Sequence, residues 1–366
     1  MKKLFIALTA MIITASAAWA ENYDAVVAQD GTGNYTKVQA AINAAPENRT
    51  EPWRILVKPG SYREMVNIPE NKTFIHLIGT DAARTMIHHT LNVGGKPDAN
   101  TKDSTYWKYS THNPEWECYG EQGTVVLVKG NDFYAQDITF QNDYGIDYFA
   151  GPQALALSTQ CDRAAFYRCC FRSFQDTWMT TMNDCNRHYI KDCWIEGAVD
   201  YFYGSGDVFV ENTTFYNLRH GSIIVAPAHG KDSKYGYVMD HCTIDGTDAA
   251  ANVKKWGVKL GRPWHNNPRT VWLHTKIMIP IHPEGWTNMG AIPAIFAEYD
   301  SFDKEGKPLD LSGRKTQYKG RGDNPPTGSC KATITAKEAK KLTYENVVMA
   351  SDGWNPRKYM TSSVEK

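Results

Sequence analysis

Two aspartates, Asp176 and Asp200, lie in the surroundings best suited to chemistry in this sequence. Each belongs to a run rich in apolar and aromatic residues, from Ser173 to Trp178 and from Gly197 to Gly204. A partly desolvated site shifts carboxyl pKa values, and two close carboxylates cannot both ionise easily. One pKa should therefore rise, which would place a neutral acid beside an anionic nucleophile or base. The alternative is that both are solvated turn residues.

An internal repeat predicts that these two carboxylates are neighbours. One constant offset aligns Cys161 with Cys185, Cys169 with Cys193, Phe171 with Ile195, and Asp176 with Asp200. Repeats of about 20–50 residues, a range that includes this offset, are typical of solenoids. Because successive coils of a parallel β-helix lie about 4.8 Å apart, the offset predicts that the aspartates stack on adjacent coils.

Short runs of β-branched and aromatic residues, separated by Gly, Asn and Asp, predict that most of the chain is β-structure. They are Arg54–Lys58, Thr73–Ile78, Thr124–Val128, Phe133–Phe140, Ala164–Phe171, His188–Ile195, Val208–Phe215, Tyr237–Ile244 and Thr270–His274. Several end on a similar pattern: Asp137-Ile-Thr-Phe140, Asp192-Cys-Trp-Ile195, Asn212-Thr-Thr-Phe215 and His241-Cys-Thr-Ile244. The predicted fold class is all-β, a parallel β-helix solenoid with short flanking helices.

Two helices are expected beside the coils. Thr36 and Gln39 fit a capping box, and apolar residues at helical spacing continue from it as far as Pro46. The second helix is predicted at Thr335–Leu342, where Thr335 and Glu338 form another capping box.

The first 20 residues have the pattern of an export signal. Lys2 and Lys3 precede an apolar run, and Ala18-Trp19-Ala20 offers a site for signal peptidase. An N-terminal anchor helix is the alternative, although the run is short for a span of about 20 residues. We predict a signal peptide over residues 1–20, one β-helical domain over residues 21–366, and secretion to the extracellular space.

The charge balance bears on possible partners. The 40 basic residues equal the 40 acidic ones, so no strong positive field would attract the phosphates of nucleic acid. No segment after the signal is long and apolar enough to span a bilayer. We therefore expect neither nucleic acid nor a membrane as partner, and we expect a monomer.

The repeat also aligns four of the eight cysteines. Stacked Cα atoms about 4.8 Å apart fall inside the usual disulfide window, and an exported protein meets an oxidising compartment. We predict at least one bond, with Cys169–Cys193 favoured over Cys161–Cys185. The alternative is a ladder of reduced, buried thiols, because stacked side chains that point in parallel miss the required dihedral.

Seven motifs, in this order along the chain, resemble those of the pectin methylesterase family. They are Gly60-Ser-Tyr-Arg-Glu64, Gln153-Ala-Leu-Ala-Leu157, Phe174-Gln-Asp-Thr177, Gly197-Ala-Val-Asp-Tyr-Phe-Tyr-Gly204, Leu260-Gly-Arg-Pro-Trp264, Gly285-Trp286 and Gly353-Trp354. Each is weak alone, but together they are specific and extend over nearly all of the chain after the signal. The resemblance implies a right-handed parallel β-helix, which agrees with the repeat.

The resemblance also implies an activity, hydrolysis of the C6 methyl esters of galacturonate in pectin, a methylated homogalacturonan. Asp200 would attack the ester carbonyl, and Asp176 would act as general acid and then as base. Gln153 and Gln175 would donate hydrogen bonds to the oxyanion, and Arg262 would hold Asp200 anionic. No metal or other cofactor is implied, and the histidines show no convincing ligand spacing.

Six side chains are expected to contact sugar rings: Val199, Met179, Tyr203, Trp264, Trp286 and Met289. Trp264 would form a flat wall for one ring. Met179 and Tyr203 differ from the family's usual residues, so they would affect which sugars bind beside the reacting one. A polar segment from Asn92 to Gln122 contains further aromatic residues that could either line the cleft or pack onto the coils: Tyr106, Trp107, Tyr109, Trp116 and Tyr119.

Other functions remain open on the sequence alone. A divergent thioesterase could use the same catalytic residues, although Trp264 and Trp286 favour pectin. A pectate lyase would need a calcium-binding carboxylate cluster, and a polygalacturonase would need carboxylates spaced around a water. Neither explains Gln153, Gln175 and Arg262 together. A non-catalytic pectin-binding relative would have no reason to keep all of them.

Overall fold

The computed structural model describes residues 22–93, 123–148, 153–252 and 257–361. Within these ranges the strands are β1 (Ala25–Val27), β2 (Trp53–Val57), β3 (Gly60–Arg63), β4 (Val66–Ile68), β5 (Ile75–Gly79), β6 (Thr85–His89), β7 (Thr124–Val128), β8 (Phe133–Gln136), β9 (Thr139–Asn142), β10 (Leu155–Thr159), β11 (Ala164–Tyr167), β12 (Cys170–Arg172), β13 (Trp178–Met179), β14 (Arg187–Lys191), β15 (Trp194–Gly197), β16 (Val199–Gly204), β17 (Asp207–Glu211), β18 (Thr214–Asn217), β19 (Ile223–Pro227), β20 (Tyr237–Asp240), β21 (Thr243–Gly246), β22 (Lys259–Gly261), β23 (Arg269–Leu273), β24 (Lys276–Ile277), β25 (Ile295–Tyr299), β26 (Phe302–Asp303), β27 (Gln317–Lys319) and β28 (Thr327–Ser329). The α-helices are α1 (Val38–Ala44), α2 (Asp143–Tyr148) and α3 (Ala336–Ala339), followed by a π-helical turn (Glu345–Met349) and a 3-10 turn (Pro356–Tyr359). The predicted signal peptide and the aromatic residues of the Asn92–Gln122 segment lie outside the described residues.

Three parallel sheets surround one apolar interior, and the chain visits them in turn, coil after coil. Sheet A has the order β1-β2-β5-β8-β11-β14-β17-β20-β23-β25, sheet B has β26-β24-β21-β18-β15-β12-β9-β6-β3, and sheet C has β22-β19-β16-β13-β10-β7-β4. The predicted register is confirmed, because Ala164 pairs with His188 and Phe171 pairs with Ile195, both at the offset of the repeat. The architecture is the predicted parallel β-helix.

The turn from sheet A to sheet B divides several of the predicted runs into two strands. Its central residue has a left-handed backbone on seven coils, with φ between 48° and 56°, at Asp137, Arg168, Asp192, Asn212, His241, His274 and Asp300. Asp, Asn and His adopt this conformation more readily than other side chains. The run from Phe133 to Phe140 is therefore β8 and β9, with Asp137 between them, and four later runs divide in the same way.

Both predicted helices exist, but the first is capped differently from the prediction. Helix α1 makes no capping bond through Thr36; instead, the carboxylate of Glu64 accepts hydrogen bonds from the backbone N–H groups of Val38 (2.9 Å) and Gln39 (3.2 Å). The buried face of α1 packs on the first coil. Helix α3 has the predicted capping box between Thr335 and Glu338 but is shorter than expected.

The predicted disulfide is not formed, and this prediction was wrong. The seven cysteines within the described ranges are free thiols. Cys169 and Cys193 do stack, but the sulfur of Cys193 accepts a hydrogen bond from the backbone N–H of Cys169 (3.3 Å). Side chains stacked in parallel do not reach the disulfide dihedral. In the other pair, Cys161 is buried whereas Cys185 is exposed, so the two side chains occupy different environments.

The C-terminal segment covers the outer face of sheet A. An apolar cluster there joins Tyr134, Tyr189 and Phe209 of the sheet to Tyr344 and Val348. This packing buries much of the outer face of sheet A under the C-terminal segment. None of the helices within the described ranges is long and apolar enough to cross a membrane.

Candidate active site

The register places Asp176 and Asp200 on adjacent coils of sheet C, as predicted. Trp178 pairs with Phe202, and the backbone N–H of Asp176 donates to the carbonyl of Val199 (2.9 Å). Both aspartates have a left-handed backbone, with φ of 60° and 50°. The turns between sheets A and B share this conformation, so in this fold it marks sharp bends of the coil. Because aspartate tolerates it better than most residues, the chain can hold two carboxyl groups at sharp bends of consecutive coils.

A bulge and a long side chain fix the position of Asp200. The register of β16 against β19 shifts between Val199 and Phe202, so β16 holds one extra residue there, and such bulges redirect side chains. Arg262 donates from Nε to Oδ1 of Asp200 (2.8 Å) and from Nη2 to Oδ2 (2.5 Å). Arg262 follows β22, which lies two coils from β16. Only a long side chain spans that distance, and a guanidinium binds both oxygens at once.

Burial controls the charge of this pair. Asp200 is 6% exposed, and its burial raises the pKa of its carboxyl although the hydrogen bonds and charge of Arg262 act to lower it. Burial lowers the pKa of Arg262, but the hydrogen bonds and charge of Asp200, aided by the charge of Asp176, raise it above its ordinary value. The raised carboxyl pKa belongs to Asp200, the predicted nucleophile, and burial is its largest cause.

Gln153 and Gln175 lie beside the aspartates on adjacent coils. The backbone N–H of Ala154 donates to the carbonyl of Gln175 (3.0 Å), and Gln175 forms a β-bridge with Val199. The hydroxyl of Ser173 donates to the carbonyl of Ala154 (2.6 Å) and so joins the two coils that carry the glutamines. This positioning role was missed, because nothing in the sequence separates Ser173 from other loop serines.

An apolar strip on the outer face of sheet C borders the carboxyl groups. It consists of Leu155, Met179, Tyr203 and Ala226, one from each of four coils, with Trp264 packed against it. Trp264 meets Tyr203 edge-on, with ring centroids 5.6 Å apart. Met179 and Tyr203 are each 2% exposed, whereas Trp264 is partly exposed. Three side chains predicted to contact sugar therefore come together, and Trp264 is the most accessible of them.

Two further predicted contacts lie near this strip. Val199 is partly exposed and directly precedes Asp200. Met289 lies next to the Trp264 segment, because the backbone N–H of the following residue, Gly290, donates to the carbonyl of Pro263 (3.0 Å).

Trp286 does not reach the site, and the prediction that it contacts sugar was wrong. It is fully buried in the interior core and stacks on Phe296, with ring centroids 4.5 Å apart. Its β-bridge to Gly261 continues the coil, and its ring turns inward from there. Trp286 therefore packs the solenoid and offers no surface to a ligand.

The described geometry suits acyl transfer at an ester. A carboxylate held at both oxygens by a guanidinium can attack a carbonyl carbon. A second carboxyl group one coil away can supply a proton to the leaving group, and neutral amides nearby can stabilise an oxyanion. Fold and site thus define a β-helical protein with two aspartates on adjacent coils of sheet C, in an arrangement that suits this chemistry.

The comparisons with known proteins agree with this class. The family model described as Pectinesterase matches residues 24–351, and the chain belongs to the pectinesterase family. It is 33% identical over 306 residues to pectinesterase/pectinesterase inhibitor U1 of Solanum lycopersicum, a match that includes 81% of this chain and 47% of that protein. It is 32% identical to pectinesterase 31 of Arabidopsis thaliana, over 75% of this chain and 81% of that protein. The chain thus spans about half the length of some curated relatives and most of the length of others.

Solved structures share the fold. Carrot pectin methylesterase superposes with a TM-score of 0.73 and 26% identity over 94% of this chain and 98% of that one. Pectin methylesterase PemA from Erwinia chrysanthemi gives a TM-score of 0.68 at 21% identity over 92% and 98% of the two chains. The predicted right-handed parallel β-helix is the fold of these structures and of this protein.

Proposed function

We propose that the protein is a pectin methylesterase that hydrolyses the C6 methyl esters of galacturonate units, giving pectate and methanol. The observation that carries the proposal is the two-point ion pair between Arg262 and Asp200, with Asp176 one coil away. A buried carboxylate is costly unless paired, and this pairing leaves Asp200 charged and fixed in direction. Family membership supports the same activity.

In the first step, an Asp200 oxygen attacks the ester carbonyl carbon and forms a tetrahedral oxyanion. The side-chain amides of Gln153 and Gln175 donate hydrogen bonds to that oxygen. When the C–O bond to methoxide breaks, the leaving oxygen takes a proton from Asp176 and departs as methanol. The galacturonyl group is then joined to Asp200 as a mixed anhydride, and Asp176 is left as a carboxylate.

In the second step, water attacks the galacturonyl carbonyl carbon. Asp176 accepts a proton from that water, which restores the acid form needed for the next cycle. The carboxylate of Asp200 leaves, and Arg262 again binds both of its oxygens. The product is a free galacturonic acid unit within the polymer, and no metal or other cofactor takes part.

The apolar strip provides the binding surface for the sugar chain. Trp264 contacts a pyranose ring with its exposed part, while Met179 and Tyr203 support it from below. Val199 and Met289 border the neighbouring positions. The substrate is methylated homogalacturonan, a long polymer, which suits a site on an outer sheet face rather than in a closed cavity.

We further propose that residues 1–20 are removed on export and that residues 21–366 act outside the cell as a monomer. The charged start, apolar run and small residues around Ala20 support the first part. Basic and acidic residues are equal in number, so no net positive field attracts nucleic acid or an anionic membrane surface, and we propose neither as a partner.

Methanol release tests the proposed activity directly. The purified protein is incubated with highly methylated pectin and, separately, with an acyl thioester, and methanol and free thiol are measured. We expect methanol from pectin and no thiol above the uncatalysed rate. Thiol release without methanol would show a thioesterase, and the absence of both products would show a non-catalytic relative.

Replacing Gln153 or Gln175 with alanine should lower kcat by about 10²-fold or more, because each variant removes one oxyanion donor. The KM for methylated pectin should change little. Steady-state kinetics of methanol release measure both constants. Gln160→Ala is the matched control, because Gln160 follows the far end of β10 and bonds Ser158. An effect confined to KM would make Gln153 and Gln175 ground-state binding groups instead.

Replacing Arg262 with glutamine should move the acid limb of the pH profile upward. The pKa of Asp200 is already raised by burial, and Arg262 is the group that opposes this rise. Activity needs the carboxylate, so it is lost as pH falls through that pKa. Without the guanidinium the pKa rises further, and the limb of kcat/KM should move up by about 1–3 pH units.

Two variants make the Arg262 experiment specific. Arg262→Lys keeps the charge but not the two-point contact, so its limb should shift less than that of Arg262→Gln. Arg172→Gln removes an arginine on sheet B that bonds Glu196 and should leave the profile in place. An acid limb that stays where it is in Arg262→Gln would mean that another group sets it.

A further inference from the structure

Three side chains of the types that can bind a metal ion lie together at the turn between sheets A and B. This turn is away from Asp176 and Asp200 on sheet C. Asp240 ends β20, His241 follows it, and His274 occupies the same place on the next coil. Oδ1 of Asp240 lies 2.9 Å from Nδ1 of His241 and 2.8 Å from Nδ1 of His274. The two imidazole rings stack, with centroids 4.6 Å apart and planes 26° apart.

The repeated turn produces this arrangement. Asp240 pairs with Leu273 across the two coils, so the residues that follow, His241 and His274, are aligned. Both have the left-handed backbone of this turn, with φ of 52° and 48°. The two histidines belong to different coils and lie far apart in sequence, which is why their spacing gave no sign of a ligand pair. Metal ligands were not expected from the sequence, and the coil stacking creates them.

The donor set fits a transition-metal ion. One ligand atom from each of the three residues lies within 4.8 Å of the others. Zn²⁺ bonds to imidazole nitrogen and carboxylate oxygen are about 2.0–2.2 Å long, which requires tetrahedral ligand atoms roughly 3.3 Å apart. The two contacts of Asp240 therefore need to open by about half an ångström. The side chain of His241 is 64% exposed and that of His274 is 32% exposed, so both can make this adjustment.

We propose that Asp240, His241 and His274 form a surface site for a divalent transition-metal ion of the zinc class. Two imidazoles and one carboxylate favour such an ion over Ca²⁺ or Mg²⁺, which prefer oxygen ligands. Three protein ligands leave the fourth position to water. The ion joins two adjacent coils, so it stabilises the folded solenoid and takes no part in ester hydrolysis.

Titration of the untagged, chelator-treated protein with ZnCl₂ in a calorimeter tests the site. We expect one saturable site per chain in the micromolar range, and a rise in Tm of a few degrees at saturating Zn²⁺. Co²⁺ added instead should give the visible absorption of a tetrahedral site. His274→Ala and Asp240→Asn should each weaken Zn²⁺ binding by at least about tenfold.

His220→Ala is the matched control, since His220 is an exposed histidine outside the cluster. The Zn²⁺ affinity of this variant should equal that of the unaltered protein. Methanol release by His274→Ala should also be unchanged, so the test is independent of the proposed esterase activity. The proposal is overturned if Zn²⁺ fails to bind below millimolar concentration. It is equally overturned if His274→Ala binds as tightly as the unaltered chain, because the ion would then lie elsewhere.

Discussion

Replacing Asp200 with asparagine should lower methanol release from methylated pectin by at least about 10⁴-fold, because a neutral amide is far too weak a nucleophile to form the acyl intermediate. Asparagine is preferred to alanine because the residue has φ of 50°, which asparagine tolerates. It also keeps one oxygen for the guanidinium of Arg262. Methanol release is measured alongside the Tm and the binding of demethylated oligogalacturonate, which should both stay close to those of the unaltered protein.

Asp300→Asn is the matched control for this experiment. Asp300 is an exposed aspartate with φ of 55°, so the substitution makes the same chemical change in the same backbone conformation but far from the site. It should retain full turnover. If Asp200→Asn retained a tenth of the normal turnover, Asp200 would not be the nucleophile.

Replacing Asp176 with asparagine should lower kcat for methyl esters by about 10³-fold, within the usual range for a general acid and base. Methoxide is a poor leaving group without a proton, and asparagine cannot supply one. Asparagine again suits the backbone, since Asp176 has φ of 60°. Methanol release under saturating pectin gives the rate.

A change of leaving group separates proton donation by Asp176 from a purely structural role. An aryl ester of an oligogalacturonate expels a phenolate that needs no proton, so Asp176→Asn should lose much less activity on the first step with that substrate. A burst of phenolate followed by slow turnover would fit, because water attack still requires the base. Equal losses on methyl and aryl esters would indicate that Asp176 only shapes the site.

The sequence predicted the relation between the aspartates well because their spacing is set by the coil itself. The offset that aligns Asp176 with Asp200 is the observed register of β11 with β14 and of β13 with β16. Each coil must return to the same place to bury its inward face, so a repeated pattern translates directly into neighbours in space. The role of Arg262 was predicted from its motif alone. The repeat relates only adjacent coils, whereas Arg262 approaches Asp200 from two coils away.

The errors concern directions and contacts that no local pattern contains. Trp286 belongs to a family motif, yet its ring points inward because of its bridge to Gly261. The N–H groups of α1 are bonded by Glu64, which lies beyond β2 in sequence. The cysteine pair Cys169 and Cys193 has the right spacing, but each sulfur contacts the carbonyl two residues before it on its own coil. For the cysteines the register was correct, and in all three cases the side-chain contacts depend on neighbours that are distant in sequence.

The left-handed turn was present in the sequence but was not interpreted as a turn. The shared pattern that ends several runs begins with Asp137, Asp192, Asn212 or His241, and each of these residues has positive φ. All are types that favour this conformation. Hydrophobic residues lie both before and after each of these turn residues. Each run was therefore predicted as one long strand, although it forms two.

Helix α1 has a consequence for the molecule as a growing stack. Strand β1 is the edge of sheet A, and an edge with unpaired N–H and C=O groups can accept a strand from another chain. Each coil of a solenoid is a template for the next, so an uncovered end could recruit a second molecule and then a third, in the manner of a fibril. Here Asn34 and Tyr35 bond the backbone of β1, and α1 covers the apolar end of the first coil with Val38, Ala41 and Ile42. Together they act as a terminator that opposes polymerisation at this end.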